Sequence, residues 1–367
     1  SHVLSLSGKT VGMTSTSGTF IGDKCICKGD NSGPRSARTL LSNKSIDVAV
    51  LETARGGILR EGLGYDLADV GIVMNISDDH LGHDGIDTLE DLAFVKSVVT
   101  EAVKKGGHAV FNADDQMTPY LIRRTKADII LFSKQTIENK DYQQFIHVYA
   151  DGGWIKIKSG KKCVNIARIS NIPITMGGII ECNIENCLAA TAALYSLKIP
   201  FDLIAEGLKT FKSNSGRFNL YDFKDLKIML DYGHNLSGYQ QVARACEKIG
   251  FSRLVGVIGM PGDRIDESIK SVGRFCSEVF DRIYIKEDAC KRGRKPLEVA
   301  NILYKEIVNS GFDKNSVEII ENEVDALKAA VQNAQKGDLI VVFYENLEPL
   351  QKYIQSIEAE SAKLITA

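Results

Sequence analysis

The chain has 367 residues, 44% hydrophobic and 25% charged, with a formal net charge of −2. That length accommodates two full-sized cores, and the composition is that of a globular protein. A balance so near neutrality gives no broad attraction to nucleic acid or to an anionic membrane, and no apolar run approaches the roughly 20 residues that span a bilayer.

Eight cysteines are scattered without a C-x-x-C pair, which favours thiols in a reducing cytoplasm over a zinc or redox site. Ser1–Gly8 has neither the basic region nor the long apolar stretch of a signal peptide. It reads as the end of a helix followed by a Gly turn, so the chain is expected to be a fragment whose helix begins upstream.

Short apolar runs then alternate with helical stretches. Val11–Ser15, Asp47–Thr53, Asp69–Ile76, His108–Asn112 and Asp128–Ser133 read as strands, nearly continuous in apolar residues, as parallel strands covered on both faces are. Leu89–Lys105 reads as one helix, opened by Thr88 and Asp91 in capping-box spacing. Phe145–Ile169 alternates apolar and polar residues around DGG and SGKK, the pattern of appended antiparallel hairpins. A helix follows over about 184–197. The polar stretch Thr210–Gly216 marks a boundary between residues 1–211 and 212–367. Beyond it, Ile228–Tyr232, Leu254–Ile258, Arg282–Lys286 and Asp338–Phe343 read as strands, with about four helices, of a smaller Rossmann-like domain.

Open α/β sheets bind ligands beyond the carboxyl ends of their strands. Glu52 and Arg55, Asp79 and His80, Asn112–Asp115, Asp231–Asn235, Pro261–Arg264 and Lys286–Asp288 all follow strands. Glu52 and His80, at corresponding strand ends and with ATP phosphates, are placed to hold Mg²⁺, which accepts few protein ligands; a histidine is an unusual ligand for it, and taken singly His80 reads better as a cap and Glu52 as a partner of Arg55. Lys96 lies on an otherwise apolar helix face with Leu92, Val99 and Val103. It either snorkels or is converted by CO₂ to an anionic carbamate ligand. Arg217 is placed either to meet a terminal phosphate or to make an ordinary surface ion pair. Ser7–Thr10 (SGKT) precedes a strand and lacks the first glycine of a phosphate loop, so it reads as a turn.

LETARGG (Leu51–Gly57), Asp79-His80-Leu81, NADD (Asn112–Asp115), NIEN (Asn183–Asn186), GRFN (Gly216–Asn219), DYGHN (Asp231–Asn235) and PGDR (Pro261–Arg264) occur in that order. The set resembles the Mur-ligase-like half of the cyanophycin synthetases. KGDNSGP (Lys28–Pro34) and KEDACKRGR (Lys286–Arg294) resemble the segments that set those enzymes apart from other Mur ligases. The resemblance implies an α/β fold, with a central ATPase domain and a Rossmann-like C-terminal domain. It implies an ATP-dependent amide ligase that phosphorylates a carboxylate and lets an amine attack the acyl phosphate. Arginine would be joined to poly-aspartate, the cyanophycin primer, and an upstream ATP-grasp half and a homo-oligomer would be the protein partners. It further implies ATP and Mg²⁺ as cofactors, with Glu52, His80 and carbamylated Lys96 on the metal. Asn186 would meet adenine, Arg217 the phosphates and Asp231 the ribose, with His234 nearby. Arg55, Asp288 (with Glu287 beside it), Arg292 and Arg294 are the candidate substrate contacts. DYGHNL departs from the common DYAHNP at Gly233 and Leu236, and without a phosphate loop the chain alone is expected to be inactive.

Overall fold

A computed structural model of the chain describes residues 1–77, 84–223 and 225–366, with side chains as far as residue 358. It forms two compact units, Ser1–Lys212 and Ser213–Ala367.

The first unit runs α1 (His2–Leu6), β1 (Val11–Ser15), β2 (Gly18–Ile21), β3 (Lys24–Lys28), α2 (Pro34–Leu41), β4 (Val48–Leu51), α3 (Arg55–Glu61), β5 (Ala68–Val73), α4 (Leu89–Glu101), β6 (Val103–Asn112), α5 (Thr118–Arg124), β7 (Asp128–Ser133), β8 (Ile146–Asp151), β9 (Trp154–Ser159), β10 (Lys162–Arg168), α6 (Glu181–Ser196) and α7 (Phe201–Thr210). Its strands make two sheets, β3-β2-β1-β4 and β10-β9-β8-β7-β6-β5. From β5 to β8 the pairing is parallel; β9 and β10 are appended antiparallel. The period-2 pleat sends alternate side chains of β6 to opposite faces. Val110 joins a core with Leu188 and Ala192 of α6, while Ala109 and Phe111 join another with Leu92 of α4 and Leu121 of α5. Each fully buried Leu or Phe contributes about 1.5–3 kcal/mol. Among the described residues β4 and β5 are edge strands, and Val48, Val50, Val70 and Ile72 pack on the same core.

The helix expected over Leu89–Lys105 stops at Glu101. Its capping box at Thr88 and Asp91 is present, but Val103 already pairs with Ala68, so sheet pairing overrides helical propensity. Gly107 is required in that strand, because a Cβ there would lie 2.4 Å from the Asp69 carbonyl. The β2–β3 hairpin was not anticipated, since it spans only four and five residues with a bulge between Thr19 and Phe20.

The second unit runs β11 (Asn219–Asp222), β12 (Leu226–Asp231), α8 (Leu236–Ile249), β13 (Arg253–Ile258), α9 (Asp266–Val279), β14 (Arg282–Ile285), α10 (Glu298–Asn309), β15 (Val317–Ile319), α11 (Glu323–Gln332), β16 (Asp338–Phe343) and α12 (Leu347–Thr366). The sheet order is β11-β12-β16-β13-β14-β15, parallel except for β11. β16 is central and buried at every position, the pattern of a parallel strand covered on both faces. No described helix is long and apolar enough to cross a membrane.

Candidate active site

In the first unit the candidate residues collect at the carboxyl ends of β4, β5 and β6. Glu52 follows β4; its main-chain N–H donates to Thr14 O (3.1 Å), and its carboxylate accepts from Thr16 N–H (3.1 Å). KGDNSGP passes beside it, tied by Asn31 N–H to Ser15 O (3.0 Å) and by Ala54 N–H to Ser32 O (3.1 Å). Arg55 pairs with Asp84 at 3.2 Å. From α4, Lys96 Nζ reaches over the end of β5 and donates to Asn75 O at 3.1 Å. NADD has a mechanical role. Asp115 accepts from Ile76 N–H (2.5 Å) and Met117 N–H (2.7 Å), which fixes the chain just beyond β5. His80, in the segment that follows, lies outside the described residues. In α6, Asn186 Nδ2 donates to Asn183 Oδ1 (3.3 Å), and Asn183 Nδ2 to Ile174 O (2.7 Å).

In the second unit GRFN and DYGHN build one cluster. Gly216 takes φ +78°, and a Cβ there would stand 1.8 Å from the Tyr344 hydroxyl. Asn219 closes the turn: its Oδ1 accepts from Gly216 N–H (2.5 Å) and its Nδ2 donates to Asn214 O (3.0 Å). Buried Asp231 accepts from Phe218 N–H (2.9 Å) and Gly233 N–H (2.8 Å). Burial raises its pKa against the pull of the Phe218 N–H, the Arg217 charge and the Gly233 N–H. The Arg217 guanidinium lies 4.8 Å from the Tyr232 ring centre. His234 donates from Nδ1 to Tyr232 O (3.1 Å), and its ring tilts against Tyr232 at 5.3 Å. Gly233 in place of the commoner alanine has a local cause: a Cβ would approach Phe343 to 2.9 Å. Phe343 in turn stacks on Tyr239 at 3.6 Å.

The loop after β14 is closed by charge pairs. Lys286 Nζ, nearly fully buried, meets Asp288 (2.6 Å) and Glu323 (3.1 Å). Burial lowers the Lys286 pKa, but Asp288 and Glu323 outweigh it and hold it above the ordinary lysine value. Glu287 accepts from Leu297 N–H and pairs with Lys291 (3.0 Å). Arg292 pairs with Asp263 of PGDR at 2.8 Å. Arg294 donates to Gly262 O (2.9 Å) and Arg264 O (2.6 Å), and pairs with Asp266 (2.7 Å) and Glu298 (2.9 Å). Four such contacts make Arg294 a cross-link between two loops. Sequence reading placed Lys286 at a strand end and missed its partner Glu323 and, beside it, Glu345. Glu323 accepts from Glu345 N–H (2.6 Å), and Glu345 from Ala289 N–H (2.6 Å). These partners are far apart in sequence, and only the loop following each strand signals them.

Among the described residues no three His, Cys, Asp or Glu side chains gather in a metal-ligand set. Glu52 carries carboxylate oxygens of the kind that Mg²⁺ takes. Lys96 as an ammonium repels a cation and fits only as its carbamate. A depression of about 520 Å³ beyond β6 and β7 is lined by Asp114 and Asp115 of NADD, whose carboxylates hold the main chain and Ser133. Asp114 accepts from the Ser133 hydroxyl (2.8 Å) and Lys134 N–H (3.1 Å), while Asp115 holds Ile76.

The Mur ligase middle domain matches residues 1–194, and the Mur ligase glutamate ligase domain matches residues 216–343. Cyanophycin synthetase of Crocosphaera subtropica is 40% identical over 354 residues, covering 94% of this chain and 40% of that protein. The chain thus spans about two fifths of the length of the cyanophycin synthetases it matches. A UDP-N-acetylmuramoyl-L-alanyl-D-glutamate–2,6-diaminopimelate ligase of Bacillus velezensis is 24% identical over 366 residues, 96% of this chain and 70% of the ligase. In fold, the chain is similar to the folylpolyglutamate synthase/dihydrofolate synthase of Yersinia pestis c092, solved with AMPPNP and Mn ion. The TM-score is 0.71 at 19% identity, over 97% of this chain and 84% of that one. This protein belongs to the Mur ligase family.

Proposed function

We propose that the chain is the ATP-dependent amide ligase part of a cyanophycin-synthesising enzyme, adding arginine to side-chain carboxylates of poly-aspartate. A carboxylate is a poor electrophile. Attack of its oxygen on the γ-phosphorus of ATP expels ADP and gives an acyl phosphate. The arginine α-amine then attacks the carbonyl carbon, phosphate leaves, and the amine proton passes to solvent or a base. Mg²⁺, when bound, offsets the charge that keeps carboxylate and triphosphate apart.

The chain's own residues have these roles in the proposal. Glu52, His80 and carbamylated Lys96 hold the metal. Asn186 meets adenine, Asp231 the ribose, with His234 beside it, and Arg217 the phosphates. Arg55 faces the acidic acceptor. Asp288 or Glu287 draws the guanidinium and Arg292 or Arg294 the α-carboxylate, each exchanging an ion pair it makes within the chain. What carries the reading is the likeness to cyanophycin synthetase along nearly the whole chain, much above that to the diaminopimelate ligase. No complete phosphate loop occurs in these 367 residues, so the chain alone is proposed to be silent.

The test is phosphate release from ATP by the longest natural polypeptide containing the chain. Release that needs both arginine and poly-aspartate supports the proposal. Release driven by a different amino acid and acceptor would make the chain another Mur-type ligase, such as a pseudomurein peptide ligase. No release with any pair would leave a nucleotide-binding remnant.

A further inference from the structure

We propose that Tyr232 is a positioning residue for Arg217: its ring sets where the guanidinium waits, and so how well this arginine meets the nucleotide's phosphates. The inference rests on the reading of Arg217 given above. Two rings, Tyr232 and Tyr344, stand 5.5 Å apart and tilted by 52°. Tyr344 fixes the main chain ahead of the arginine, because Gly216 lies so close to its hydroxyl that a Cβ would sit 1.8 Å away. Tyr232 takes the side chain, its ring centre 4.8 Å from the Arg217 guanidinium carbon. The same positive charge is felt by Asp231 and Tyr344, where it opposes the rise that burial imposes on each.

An unrestrained arginine spreads over many rotamers, and ordering it must be repaid when it binds a phosphate. A cation held over an aromatic face is already ordered. It also keeps its donors, because a ring face is not a hydrogen-bond acceptor of the kind that a carboxylate is. Tyr232 therefore orients the guanidinium without neutralising it.

The experiment uses the longest natural polypeptide and measures kcat and KM for ATP, with nucleotide Kd and thermal melting alongside. Tyr232→Leu is expected to lower kcat/KM for ATP by about threefold to tenfold, the worth of a partly desolvated cation–π contact. Tyr232→Phe, which keeps the ring, restores most of the loss. Tyr232→Met serves if the leucine variant does not fold. In an Arg217→Gln background the leucine change should cost nothing further in nucleotide Kd. Equal losses in the Phe and Leu variants, or an undiminished loss in the Arg217→Gln background, overturn the inference. If Arg217→Gln alone leaves kcat/KM for ATP intact, the phosphate assignment of Arg217 falls and takes this inference with it. If Arg217→Gln is impaired and Tyr232→Leu is not, only the positioning role falls.

Discussion

Charged side chains stand at the strand ends of both units, but they lean on different partners. In the first unit Glu52 takes the N–H of Thr16, Lys96 gives to the carbonyl of Asn75, Asp115 takes two main-chain N–H groups, and only Arg55, among the pairs described at these strand ends, meets an opposite charge, Asp84. In the second, Lys286 meets Asp288 and Glu323, Arg292 meets Asp263, and Arg294 meets Asp266 and Glu298. A main-chain dipole orients a charge and leaves its sign in place. An opposite charge at close range neutralises it and, where buried, makes each partner depend on the other. The loop after β14 is therefore bound up with stability, while Asp231, held by two main-chain N–H groups, follows the pattern of the first unit.

The sharpest way to break this contrast is Lys286→Met. It strands Asp288 and Glu323 in a nearly dry pocket, where losing one partner of a buried pair costs about 3–5 kcal/mol. Urea unfolding should show that loss, and a change below ~1 kcal/mol would mean that the trio does not hold the loop. The same trio has a pH signature. Lys286 holds its proton more tightly when folded, so its contribution is complete below the ordinary value of 10.5 and fades as pH climbs through the raised folded value. Melting temperature against pH should fall in that alkaline window for the native chain, with Lys286→Met lacking this component.

Gly216→Ala comes next. It forces a side chain onto φ +78° and into the Tyr344 hydroxyl, with a strain of about 1–3 kcal/mol. Chemical denaturation measures it, and an unchanged midpoint would show that the turn yields freely. The smallest effect on stability is expected in the first unit. Glu52→Gln keeps an oxygen for Thr16 N–H and should cost less in unfolding than Gly216→Ala. The same change should lower ATP turnover in the longest natural polypeptide by roughly a hundredfold or more, as loss of a metal-holding carboxylate does. A variant that unfolds early and still turns over ATP would invert the contrast.

The fold was legible where period and length agree. The buried strands β7, β12, β13 and β16 are continuous apolar runs, and Phe145–Ile169 alternates cleanly, so each announces itself. Val103 did not. Its helical periodicity with Leu92 and Lys96 is real, but pairing with Ala68 decides its conformation, and that partner is 35 residues away by number. The strand-end residues were legible because each follows an apolar run. Their partners were less so, since Glu323 and Glu345 look like ordinary surface acids until three loops meet at Lys286. Arg294 shows the limit most clearly. Its residue type suits a substrate carboxylate, and only its four contacts reveal a brace.

β4 and β5 close the account of the first unit with a practical consequence. Each presents, among the described residues, an unpaired parallel edge carrying valines and isoleucine that also belong to the core. Such an edge is a template for further strand pairing. A strand of either direction can add to such an edge, as β9 and β11 do on β8 and β12. Val48 and Val50 on one edge and Val70 and Ile72 on the other share one core, so a polar side chain introduced at either edge is felt by both sheets.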